Sequence, residues 1–134
     1  MSELIQADVK QPGLWDKVCP YFEAALSRGG DKDWSLYDLY VAFSTGRLIL
    51  WTLVSGGRIV GAGATTVTEY PRRQVLEIVA MGTDKNTEQL WLPLLEHLKK
   101  VAFSLGCSAV VGTGRNGWAR KLGAEERRVF EVAV

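Results

Sequence analysis

"QVLEIVAMGTDKNTEQLWLPLLEHLKKVAFSLGCSAVVG", residues 74–112, decides the fold. Its first part, Gln74 to Met81, is mostly apolar, as a central strand covered on both faces should be. After Gly82 the hydrophobic period changes from strand to helix. Leu90, Leu94, Leu95, Leu98, Val101, Ala102 and Leu105 then form one helical stripe that ends at Gly106. Asn86 stands where a cap is expected, with Gln89 at the spacing of a capping box. Pro93 falls inside this helix and is expected to loosen its second turn. Cys107 to Gly112 reads as another short buried strand. Strand, helix, strand in that order calls for a parallel pair joined by a right-handed crossover.

Upstream, Arg47 to Val54 and Arg58 to Tyr70 read as strands joined by the hairpin signal Gly56-Gly57, and Pro71-Arg72-Arg73 turns the chain into Gln74. Short turns make these three strands antiparallel. Before them lie two helical patterns. Leu14, Val18, Phe22, Ala25 and Leu26 share one face, interrupted by Pro20 and ended by Gly29-Gly30. Leu36, Leu39, Tyr40 and Phe43 share another, with Ser35 as N-cap, Asp38 three positions on, and Gly46 at the end. Downstream, Trp118 to Leu122 reads as a short helix closed by Gly123, and Arg128 to Val134 as a final strand. The order is α-α-β-β-β-α-β-α-β: an α/β (α+β) domain spanning 1–134, with a mixed sheet flanked by helices.

Composition narrows the function. A net charge of +1 gives no global field for nucleic acid. No apolar run approaches the length of a membrane span, and MSELIQADVK lacks the basic start and apolar stretch of a signal peptide. Cys19 and Cys107 form no framework, which fits a reducing compartment such as the cytoplasm. With His97 the lone histidine, neither a metal site nor a nucleophile-histidine pair is expected. Five tryptophans are many for 134 residues. They serve either as large core residues or as lining for a groove or a homodimer interface.

The order of elements, together with VLEIVAMG before a long helix, GCSAVVGTGR after it and the closing segment WARKLGA, resembles the GNAT (Gcn5-related N-acetyltransferase) fold along nearly the whole chain. The Trp-containing long helix and GRNGWARKLGA are similar in particular to the short GNAT-like proteins of tailed bacteriophages. The resemblance implies acetyl-CoA as acyl donor. Its pantetheine arm would run beside Val79, Ala80 and Met81, and its diphosphate would meet the turn of Gly82, Thr83, Lys85, Asn86 and Thr87 at the start of the helix. It also implies a general base on the same strand, for which Glu77 is the candidate. The other reading of Glu77 is a carboxylate on the wet side of the sheet or paired with Arg58 or Arg73. In GRNGW, Asn116 can cap the next helix and Trp118 can anchor it. Arg115 and Asn116 stand where a phosphate or an acidic substrate group would be met.

The chain departs from the family at two points. The family's phosphate loop carries further glycines where this chain reads GTDKNTEQ, and Asp84 and Glu88 bring negative charge that Lys85 offsets only in part. The turn therefore reads either as an anion site or as a plain self-capped helix start. The family's Tyr four residues before the closing glycine is Ala119 here, and the indole of neighbouring Trp118 is no useful acid. Two functions follow from the resemblance. One is acetyl transfer to an amine of a small molecule or protein. The other is a catalytically degenerate phage protein, in the host cytoplasm or the virion, that binds a protein partner.

Overall fold

The computed structural model describes residues 2–28, 33–112 and 132–133. In chain order the elements are β1 (Ser2–Ala7), α1 (Leu14–Arg28), α2 (Leu36–Ser44), β2 (Ile49–Ser55), β3 (Arg58–Tyr70), β4 (Arg73–Thr83), α3 (Trp91–Ser104) and β5 (Ala109–Gly112), with a 3-10 turn at Glu88–Leu90 leading into α3. One five-stranded sheet runs β1-β2-β3-β4-β5. The first four strands are antiparallel to their neighbours, and β4 and β5 are parallel. The strand-helix-strand reading of 74–112 therefore holds. The expected closing helix and Gly29-Gly30 lie outside the described residues, as does the expected final strand except Val132 and Ala133, which are in no strand.

Helices cover both faces of the sheet. On one, Val18 and Phe22 of α1 and Leu39 and Phe43 of α2 pack with Leu50, Ala62, Ala64 and Ala80 of the strands. On the other, Leu94, Leu98 and Ala102 of α3 pack with Leu53, Val60 and Leu76. The α3 triplet recurs every four residues, which keeps it on one stripe. Leu105, expected in that stripe, is exposed. None of the described helices is long and apolar enough to cross a membrane.

Several elements form for the reasons read in the sequence. Ser35 and Asp38 make a reciprocal capping box: the Asp38 N–H donates to Ser35 Oγ at 3.1 Å and the Ser35 N–H to Asp38 Oδ2 at 3.0 Å. Gly56 and Gly57 both have positive φ, 60° and 74°, as a two-residue hairpin turn of the favoured hand requires.

Other elements differ from the reading. The strand β1 precedes the expected order and pairs with β2 from Ser2↔Ser55 to Ala7↔Leu50. Its exposed residues, Glu3, Ile5 and Gln6, mix polar and apolar types, so the alternation that announces a strand is blurred. The helix α1 runs without a break from Leu14 through Pro20. Asn86 does not cap α3. Leu90 occupies the cap position and no side chain caps it. Pro93 then falls in the first turn, where its missing N–H would have had no intrahelical partner, so it loosens nothing.

Candidate active site

Among the described residues, parallel pairing of β4 with β5 covers Val75↔Ala109 to Ile78↔Gly112, and Gly112 is the last residue described before 132. The strand β4 runs on to Thr83. Over that stretch it is bonded to β3, from Ala64↔Ala80 to Gly61↔Thr83.

This stretch starts with a β-bulge. Register passes from Thr65↔Ile78 directly to Ala64↔Ala80, so Val79 is an extra residue with no partner. The faces of the strand show the consequence. Ile78 and Met81 pack under α3, and the two residues between them, Val79 and Ala80, both pack on the α1 and α2 side. The period-two reading of VLEIVAM had no signal for this shift.

Glu77 precedes the bulge. It alternates with Leu76 and Ile78, which pack under α3, so it faces the opposite side of the sheet. It is half-buried, and its Oε2 accepts a hydrogen bond from the Thr68 hydroxyl at 3.2 Å. Neither Arg58 nor Arg73 is its partner. One neutral donor fixes the carboxylate and leaves acceptor capacity for a proton or a water.

At the far end of β4, Gly82 lies against α1. A Cβ at this position would sit 2.6 Å from the Tyr21 carbonyl oxygen and 3.2 Å from its carbonyl carbon. The glycine is thus required by close helix-strand approach. Gly82→Ala is expected to cost about 1–3 kcal/mol, because the atoms it meets are backbone and α1 must move as a unit. Denaturant unfolding of the variant measures this, and an unchanged midpoint would contradict the contact.

Tyr21 also reaches the turn after β4. Its hydroxyl donates to Asp84 Oδ1 at 2.8 Å, with the Ile59 carbonyl at 3.3 Å. The Asp84 N–H donates to the Val60 carbonyl at 2.8 Å. The Thr87 hydroxyl donates to the Asp84 carbonyl at 2.7 Å and lies 3.0 Å from the Thr83 hydroxyl. The acidic side chain that the sequence set against an anion is therefore engaged by α1. Lys85 and Asn86 are exposed, and Asn86 has φ 62°. Among the described residues, none accepts a hydrogen bond from the backbone N–H of either. The self-capped alternative for this turn does not form. The turn instead holds two free N–H groups and a lysine just before the 3-10 turn and α3.

Burial, and then the bond to Asp84 and its charge, push the Tyr21 hydroxyl up to about 12, with Arg58 pulling the other way. A raised value favours the protonated phenol in the folded state. The stabilisation is thus present below the ordinary value near 10 and is lost as pH rises through 12. Ultraviolet titration should show a tyrosinate phase near pH 12 that Tyr21→Phe removes. A wild-type curve lacking that late phase would contradict the Tyr21–Asp84 bond.

Arg115 and Asn116 lie outside the described residues, as do Trp118 and Ala119. Among the described residues no group of three His, Cys, Asp or Glu side chains could hold a metal ion. His97 is exposed on α3 and meets the buried indole of Trp51 edge-on at 6.2 Å, while the Trp51 Nε1–H donates to Thr65 Oγ1 at 2.8 Å.

No protein-family model matches the sequence, and no curated protein matches it significantly. Solved structures do resemble it. An aminoglycoside acetyltransferase, meta-AAC0020, from an uncultured soil metagenomic sample and in complex with sisomicin, matches 99% of this chain and 95% of its own at 14% identity and a TM-score of 0.73. A predicted acetyltransferase with acetyl-CoA from Clostridium acetobutylicum matches 99% and 96% at 14% identity and a TM-score of 0.72. The fold is that of the GNAT acetyltransferases. An integron cassette protein from the mobile metagenome of V. cholerae shares it too, at 18% identity, 99% and 91% coverage and a TM-score of 0.69. In this GNAT-fold chain, the bulge at Val79, the rest of β4 to Thr83 and the turn before α3 are continuous.

Proposed function

We propose that this protein transfers an acetyl group from acetyl-CoA to an amine, with the donor laid along the edge of β4 beyond Ile78. The observation that carries the proposal is the continuity, along β4, of the bulge at Val79, the residues up to Thr83 and the turn of Lys85 and Asn86, whose backbone N–H groups have no acceptor among the described residues. That edge fits an extended, amide-bearing pantetheine arm, which would take hydrogen bonds from the backbone of Val79, Ala80 and Met81. The free N–H groups of Lys85 and Asn86, the Lys85 ammonium and the start of α3 fit a diphosphate, with Gly82, Thr83 and Thr87 shaping the turn. Tyr21 contributes by holding the Asp84 carboxylate toward α1. Arg115 and Asn116 are assigned a further phosphate or substrate contact. Acetyl-CoA would supply the activated acyl carbon. Glu77 would take the proton that the attacking amine must lose, directly or through a water. Amine acceptors are in keeping with two neighbours of this fold, the aminoglycoside acetyltransferase and a glucosamine-6-phosphate N-acetyltransferase from Arabidopsis thaliana.

The test is release of free thiol from acetyl-CoA in the presence of a panel of aminoglycosides, amino sugars, polyamines and lysine peptides. Amine-dependent release above the uncatalysed rate is expected with at least one class. Release that no amine accelerates would favour a second reading, in which the fold binds a protein partner without chemistry. Asp84 in the diphosphate turn is the observation on that side.

A further inference from the structure

A second concave surface lies on a different flank of α1. The loop of residues 9–13, the first turns of α1 and the first turns of α2 enclose an open groove of about 620 Å3. That is within the usual size for a small-molecule site. Trp15, Asp16 and Cys19 of α1 face Tyr37 and Tyr40 of α2 across it. On the helix, Trp15 and Cys19 are turned toward α2, where the Trp15 ring meets Tyr40 edge-on at 5.3 Å. Tyr21, by contrast, lies over Gly82 of β4. A ligand in the groove would therefore sit away from the β4 edge.

Three features of the groove serve no purpose within the fold. Tyr37 is 70% exposed, although α2 has its cap in Ser35 and its core contacts in Leu39, Ala42 and Phe43. The Tyr37 and Tyr40 hydroxyls make no hydrogen bond among the described residues. Asp16, in the first turn of α1, makes neither a hydrogen bond nor an ion pair there. Carboxylates of α1 act on the groove as well. The Cys19 thiol is pushed up by burial, then by the charges of Glu23 and Asp16. Lys10 also borders the groove and is exposed, and among the described residues it forms no ion pair with Asp16.

Aromatic faces beside an uncompensated carboxylate are the chemistry that recognises an alkylated ammonium ion. We propose that this groove binds an organic ammonium ion, held between Tyr37, Tyr40 and Trp15 and neutralised by Asp16. The site is separate from the acyl-transfer edge and does not rest on that reading.

The probe is choline, titrated into the full chain without acetyl-CoA and followed by the indole N–H resonance of Trp15, assigned with Trp15→Phe. Its neutral isostere, 3,3-dimethylbutan-1-ol, serves as control. Choline is expected to shift the resonance saturably, and the isostere to bind at least about fivefold more weakly. Asp16→Asn and Tyr37→Ala, both at exposed positions that leave the core intact, are each expected to weaken choline about two- to fivefold. The proposal is overturned by any of three results. One is no shift at about 50 mM choline, well above a millimolar constant. Another is equal binding of the isostere. The third is wild-type affinity in both variants.

Discussion

Glu77→Gln is expected to lower the rate of amine acetylation by about 10²- to 10⁴-fold, the range a positioned general base supplies. The substitution is close to isosteric. The amide oxygen can still accept the Thr68 hydroxyl bond that holds the carboxylate at 3.2 Å, so the strand and the bulge beside it are left intact. What is lost is the ability to take a proton. Affinity for acetyl-CoA should not change, because the arm is assigned to the backbone of Val79 to Met81 and not to this side chain. The split between rate and binding is the informative quantity. Acetylation at the wild-type rate would remove Glu77 from the chemistry and leave a bound water or the bulk solvent as proton acceptor.

Phe22→Ala is expected to destabilise the fold by about 3–5 kcal/mol, lowering the melting temperature by roughly 10 °C or more. Phe22 is fully buried where α1 and α2 meet the sheet. Its ring lies 5.4 Å from that of Phe43 and 6.2 Å from that of Trp15. Removing it leaves a cavity bounded by two helices that are also held elsewhere, so collapse is restricted. Because Tyr21 is the adjacent residue and lies on Gly82 and Asp84, the same change should loosen the turn before α3. Thermal and denaturant unfolding read the first effect, and a loss below about 1 kcal/mol would contradict the packing of this core.

Residues 74–112 were legible because local and tertiary demands agree there. The covered strand is mostly apolar, the helix repeats every three to four residues, and the parallel crossover follows from the order. Ser35 with Asp38, and Gly56 with Gly57, were legible because each forms a contact within four residues of sequence. The parts that escaped depend on distant partners. The strand β1 has little pattern of its own and is defined by pairing with β2, almost fifty residues on. The bulge at Val79 is a property of two strands together. Tyr21 and Asp84 are 63 positions apart, so Asp84 read as an obstacle to an anion and not as the acceptor of a tyrosine hydroxyl. For Glu77 the sequence offered a wet face or arginines, whereas the register sets it opposite Thr66 and within reach of the Thr68 hydroxyl two residues along. Asn86 had the type and spacing of a cap, but the left-handed backbone there turns the chain before the helix begins.

The most direct measurement is a calorimetric titration of the protein with acetyl-CoA, with a thermal melt at saturating ligand. Saturable heat is expected, with stabilisation of roughly 2.7 kcal/mol at about 100 times the dissociation constant and a rise of several degrees in Tm. No heat and an unchanged Tm at millimolar acetyl-CoA would mean that β4 and the turn after it do not hold the donor, and the acyl-transfer function would be wrong.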